Sequence, residues 1–251
     1  MFSKLNVLNF KFLALSLSLL LGPFLQQPAV AQSDDPYSDI LFMVIDGEFE
    51  KAIHKAEKFT NRDKTRKEAE PYILMSMAYY EISKDESMRE DYPRAFREAT
   101  KNAYKGVRYD DEGIVADKHA SYLTELKVDL MREARFYYDS GTWRKSLTNA
   151  KYVTRIDPDH IAALLIKGAA EMRSRNAYQA KTTFEEAHKA AENAAVSDYS
   201  SEELPFLRFA ILEYATIMKE TGEKEKAKPM LELGETTFED DREFQNFISA
   251  F

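Results

Sequence analysis

The stretch Tyr137–His160, YYDSGTWRKSLTNAKYVTRIDPDH, is the key to the architecture, and its letters allow two readings. It holds the chain's single tryptophan, and its Asp157-Pro158-Asp159-His160 end offers the residue types of a metal site. The same letters also spell a junction between helices. Gly141 stands where a helix can close in a left-handed turn. Asp157 can cap a following helix, and Pro158 is tolerated in a first helical turn, where its missing N–H costs nothing. A zinc or iron site needs several convergent ligands, and the sequence places no His or Cys near His160. The architectural reading is therefore preferred, and replacing His160 with alanine is expected to cost little.

The stretch has echoes on both sides. Counting from Ala134, Gly141 comes at offset 7, Ser146 at 12, Ala150 at 16, Val153 at 19 and Pro158 at 24. Thirty-four residues on, the corresponding positions are Gly168, Ala180, Phe184 and Ala187. They recur at Ala215, Ala227, Leu231 and Gly234, and at Ile40, Ala52, Ala56 and Phe59, with Gly222 and Gly47 in the place of Gly141. A looser unit has Ala78, then Tyr92, Ala95 and Ala99. Small residues on two successive segments let two helix backbones approach closely, so the pattern predicts antiparallel helix pairs. Phe49, Tyr92 and Trp143 fall just after the turns, where a ring can fill the space beside the next pair.

With its 34-residue spacing and with Ala134, Tyr137, Gly141, Trp143 and Pro158 followed by Gly168, Ala180, Phe184 and Ala187, the chain resembles the tetratricopeptide repeat family. The likeness is greatest over 127–194, with Arg175 in place of an inter-helix glycine and Glu192 in place of a terminal proline. It implies an all-α fold, an α-solenoid of about five repeats closed by a capping helix. Eleven helices are predicted, over 36–46, 48–60, 67–84, 92–108, 116–139, 142–155, 159–174, 177–194, 202–220, 223–237 and 240–250. RYDDEGIVAD (108–117) and AAVSDYSSEELP (194–205) read as loops between them. The last helix carries Phe244, Phe247, Ile248 and Phe251 on one stripe, as a cap should.

The amino terminus is different. Lys4 and Lys11 precede the apolar run Phe12–Leu21, Gly22-Pro23 breaks it, and Ala29-Val30-Ala31 offers a cleavage site, so 1–31 reads as a signal peptide and 32–251 as the helical domain. The apolar run reaches only about half the roughly 20 residues a membrane span needs. Beyond residue 31 the net charge is −10, from thirty-three Lys and Arg against forty-three Asp and Glu, which argues against nucleic-acid or anionic-membrane partners. No cysteine is present, which excludes disulfides, thiolate chemistry and a lipid-modified cysteine. The expected compartment is the bacterial periplasm, with secretion as the alternative.

Motifs for catalysis are missing: no GxSxG, phosphate loop, HExxH or GxGxxG occurs. The four histidines are scattered, and neither a metal nor a cofactor is expected. The resemblance implies recognition instead, on a concave groove lined by the first helix of each pair. Carried across by position, the groove falls at Tyr72, Met75 and Tyr79, then Met131, Arg135 and Tyr138, then Met172 and Phe209. Tyr, Met and Arg are enriched in protein interfaces. The expected role is a non-enzymatic adaptor for a peptide or protein of the cell envelope; the alternative is a binder of small ligands or glycans.

Overall fold

The structure, a computed structural model, describes residues 35–193 and 199–251. The proposed signal peptide and the residues 194–198 lie outside them. The chain divides into two units, 1–39 and 40–251, and the second is the helical domain.

The described residues are all-helical, with no strand among them. They form twelve α-helices: α1 Ser38–Ile45, α2 Phe49–Thr60, α3 Ala69–Lys84, α4 Ala95–Tyr109, α5 Ile114–Lys118, α6 Ala120–Asp139, α7 Trp143–Ile156, α8 Ile161–Arg173, α9 Ala177–Asn193, α10 Leu204–Glu220, α11 Lys228–Thr237 and α12 Arg242–Ala250. Helix α3 packs on α4, α6 on α7 and α8 on α9, while α2 with α3 and α7 with α8 join successive pairs. The linkers after α6 and α8 are three residues each, so those pairs must run antiparallel.

Four helix ends close in the same way. The N–H groups of Glu48, Thr142, Asn176 and Glu223 reach back to the carbonyls of Met43, Tyr137, Glu171 and Met218 at 2.8–2.9 Å. One residue earlier, Gly47, Gly141, Arg175 and Gly222 donate to Val44, Tyr138, Met172 and Lys219. This paired closure is the Schellman motif, and it needs a left-handed residue at its centre. The glycines supply φ of 77°, 73° and 78°; Arg175 adopts φ 64° in the same role. The turn thus survives the glycine's replacement, at the cost of strain.

The small residues that set the pattern are where helices touch. Ala52, Ala56, Ala134, Ser146, Ala150, Ala180, Ala187 and Ala215 are fully buried. Where one partner grows, the other shrinks: a Cβ on Gly168 of α8 would lie 2.5 Å from the Phe184 ring of α9. At the carboxyl end, Phe244 is fully buried, while Phe247, Ile248 and Phe251 pack on the core. Asp241 fixes the entry to α12 by accepting from the Phe244 N–H at 2.9 Å, and Arg208 on α10 holds Asp241 at 2.5 Å.

Two predicted features change. The loop expected over 108–117 contains α5, because Asp110 Oδ2 accepts the Ala116 N–H at 2.7 Å and closes a single helical turn. The helix expected over 116–139 consequently breaks at His119, which lies buried 3.3 Å from Glu70 of α3.

Candidate functional site

Of the eight predicted groove residues, Tyr72, Met75, Met131 and Tyr138 are buried. Tyr72 turns toward α4, its ring 5.5 Å from Tyr109 and its hydroxyl donating to Arg66 O. Half-buried Tyr79 has its phenol pushed up by burial and by Glu57 and Glu98, acids of α2 and α4. The tyrosine that crosses to α6 is its neighbour, Tyr80, which donates to Asp129 at 2.6 Å and whose ring meets Tyr122 edge-on. A single step along α3 changes which helix the ring meets.

Arg135, Tyr138 and Phe209 do come together. The Tyr138 ring packs edge-on against Trp143 at 4.8 Å and Phe209 at 5.8 Å, and the Arg135 guanidinium lies 4.7 Å above Phe209. This brings α10 onto α6. Burial pushes the Tyr138 phenol well above its usual range.

Met172 belongs to another feature. Helix α10 packs its backbone mainly on α8, and it meets α9 through side chains: the Phe184 and Tyr214 rings are 4.7 Å apart. Beside that contact lies a cavity of about 570 Å³. Met172, Phe184, Tyr214, Met218 and Pro229 give it apolar walls. Lys181 and Glu185 stand one turn apart on α9 at its edge, and Lys226 pairs with Glu223 at 2.5 Å. The charges are therefore of both signs and balance.

One polar chain crosses this wall. His188 Nε2 lies 2.7 Å from the Tyr214 hydroxyl, which donates to Lys226 O at 3.0 Å. A carbonyl only accepts, so the phenol's single proton is committed there and His188 must donate through Nε2–H. In the neutral ring, that tautomer leaves the lone pair on Nδ1. Burial lowers the His188 pKa, against a smaller upward pull from Glu192, while burial raises that of Tyr214. Both groups stay uncharged near neutral pH. The sequence carried no sign of this pair, since His188 and Tyr214 are 26 residues apart in different helices.

The Tyr137–His160 stretch also has an unexpected role. His160 is buried, and its Nδ1 accepts the Ala163 N–H at 3.2 Å, so the histidine itself caps α8. Its Nε2 lies 3.4 Å from Glu203, whose other oxygen accepts from Ser200 N at 3.0 Å and Ser200 Oγ at 2.9 Å. Lys127 of α6 stands 2.8 Å from Asp157 and 3.5 Å from Glu203. Tyr199 completes the arrangement by accepting the Ile161 N–H at 2.9 Å. This clasp ties the segment entering α10 to α6 and α8. It corrects the expectation that His160 is dispensable, because the residue is capping a helix and touching a buried carboxylate at once.

No group of three or more His, Asp and Glu side chains is placed to hold a metal among the described residues. No described helix is long and apolar enough to cross a membrane. Comparison with known protein families, curated proteins and solved structures returns no match.

Proposed function

We propose that this chain is a non-enzymatic interaction protein of the tetratricopeptide kind, an α-solenoid of about five repeats, that captures an extended segment of a partner protein. The capture point in this reading is the cavity between α9 and α10, which takes one apolar side chain of that segment. The observation that carries the reading is the cavity's makeup: buried Phe184, Tyr214 and Met218 form its walls, and balanced charges surround it. Such a surface rewards burial of an apolar group and gives no compensation to a buried charge. Two identical helix closures 34 residues apart, at Gly141 and Arg175, support the repeat assignment. The amino-terminal sequence pattern supports a location outside the cytoplasm, as an adaptor in the bacterial envelope.

A second reading, a small-ligand binder, draws on the cavity volume, which falls within the roughly 300–1,000 Å³ of ligand sites. Ala177→Trp separates site from scaffold, because Ala177 lines the cavity from an exposed position. Pull-down from envelope extract, read by mass spectrometry, should recover a partner with the parent chain and lose it with the filled variant. Equal recovery by both would remove the cavity from the reading. A thermal-shift screen with glycans and small aromatics tests the second: stabilisation by one of them, abolished in Ala177→Trp, would favour it.

A further inference from the structure

The chain's negative charge is unevenly spread. Helices α4 and α7 together hold eight cations and one acid, Glu98, whereas the rest of the chain beyond residue 31 holds twenty-five cations against forty-two acids. On α4, Arg97, Lys101, Lys105 and Arg108 recur every three or four residues, opposite the buried Ala95, Ala99 and Ala103. On α7, Arg144, Lys151 and Arg155 share a stripe in the same way, with Lys145 as a fourth cation. All of these but Lys101 are exposed. The two helices pack on one another, and Arg155 of α7 reaches over Tyr104 of α4, which joins the two sets.

These cations are not offset from within the chain. Lys101 pairs with Glu98 at 2.7 Å, and the other seven make no ion pair among the described residues. Tyrosine rings hold three of them instead. The Arg155 guanidinium lies 5.3 Å from the centre of the Tyr104 ring and 5.6 Å from that of Tyr152, while Lys105 lies 5.4 Å from Tyr72 and Lys145 4.9 Å from Tyr137. A ring fixes a cation without neutralising it. A guanidinium can stack on a ring and still present its N–H fork to a carboxylate.

We propose that the outer face of α4 and α7 docks an acidic, Asp- and Glu-rich segment of a partner protein. It is a second surface, apart from the cavity, since no residue of α4 or α7 lines that cavity. Charge complementarity carries the assignment, and two observations favour a protein over other polyanions. A membrane-binding face joins cations to exposed apolar side chains. Among the described residues the exposed large apolar ones, Phe42, Ile45, Ile114, Phe136 and Tyr178, all lie outside α4 and α7. Single-stranded nucleic acid needs open rings for its bases to stack on. Tyr72, Tyr104 and Tyr152 are buried or half-buried, and each already carries a cation. A carboxylate-rich segment needs neither apolar anchors nor open rings.

The experiment is fluorescence anisotropy of a labelled oligoglutamate peptide titrated with the full exported chain, with phosphatidylglycerol vesicles and oligothymidylate as competitors. Salt at about 0.1 M gives a Debye length of about 10 Å, so charges elsewhere on the chain are screened. Saturable binding is expected. The triple variant Arg97→Gln, Arg108→Gln, Arg155→Gln should weaken it about tenfold, as three exposed pairs worth about twofold each would. Changing Lys219, Lys228 and Arg242 to glutamine removes the same charge from α10, α11 and α12 and should weaken it less than about twofold. Ala177→Trp should leave it unchanged, which separates this surface from the cavity. Melting temperatures report whether each variant folds, and amide shifts in the parent chain, expected on α4 and α7, locate the site without any substitution. Equal weakening by the two triple variants, or shifts confined to other helices, would overturn the surface. Tighter binding of the vesicles or of oligothymidylate than of oligoglutamate would overturn the acidic-protein assignment, and so would the absence of saturable binding by oligoglutamate.

Discussion

Replacing Glu203 with glutamine should reveal how strongly the clasp holds α10 to α6 and α8. Glu203 is 5% exposed, and burial alone would raise its pKa. The imidazole of His160, the Ser200 N–H and the Lys127 ammonium outweigh that penalty and bring the pKa from 4.5 down to about 2. A carboxylate with a depressed folded pKa contributes stability that is complete above the unfolded value and lost as pH falls through the folded one. Here the window runs from 4.5 down to about 2. At about 1.4 kcal/mol per pKa unit the contribution is on the order of 3 kcal/mol at neutral pH. Lys127 keeps Asp157 in the variant, so the measured loss should be about 1–3 kcal/mol. Urea denaturation at a series of pH values gives both curves. Other carboxylates titrate in parent and variant alike, so the difference between the curves isolates Glu203. It should be constant at neutral pH and shrink across the stated window. A difference that stays constant down to the lowest pH, or a variant as stable as the parent at neutral pH, would show that the clasp does not hold α10 in this way.

Arg175→Gly should stabilise by about 0.5–1 kcal/mol in urea denaturation, since relief of the left-handed strain exceeds the entropy glycine adds to the unfolded chain. Ala180→Leu should cost about 1–3 kcal/mol by overpacking the fully buried contact of α9, and His160→Ala a comparable amount through its lost cap and the Glu203 contact, both read by the same titration. His188 has a lowered pKa, so the fold disfavours its protonation and loses stability as pH drops below the ordinary histidine value of 6.5; His188→Gln should flatten that part of the melting-temperature profile.

The helix pairs were legible because their cause is local and periodic. Ala134 and Ala150, or Gly168 and Phe184, sit at fixed offsets since two helices joined by a short turn can touch only at such spacings, and each pair is buried as the spacing requires. Even the departure at Arg175 was visible as a missing glycine, although its consequence, a retained turn under strain, was not. What stayed hidden depends on contacts between pairs. Tyr79 and Tyr80 are neighbours on α3, and the choice of which crosses to α6 turns on a rotation of the helix that no spacing within α3 encodes.

The same distinction explains why the groove was harder to read than the fold. Carrying positions across a repeat assumes that every first helix meets its neighbours at one angle. In this chain α10 approaches both α8 and α6, so Tyr138 is buried against Phe209 where an open concave face was expected. That approach leaves α9 and α10 linked through Phe184, His188 and Tyr214, and the cavity opens beside them. Burial of Tyr138 and the position of the cavity thus both depend on how α10 packs. A variant that loosens the Tyr138–Phe209 contact, such as Phe209→Ala, should therefore alter ligand binding at the cavity even though Phe209 does not line it. The pull-down from envelope extract measures this directly. Recovery unchanged from the parent, in a variant of lower melting temperature, would show that the two regions are independent.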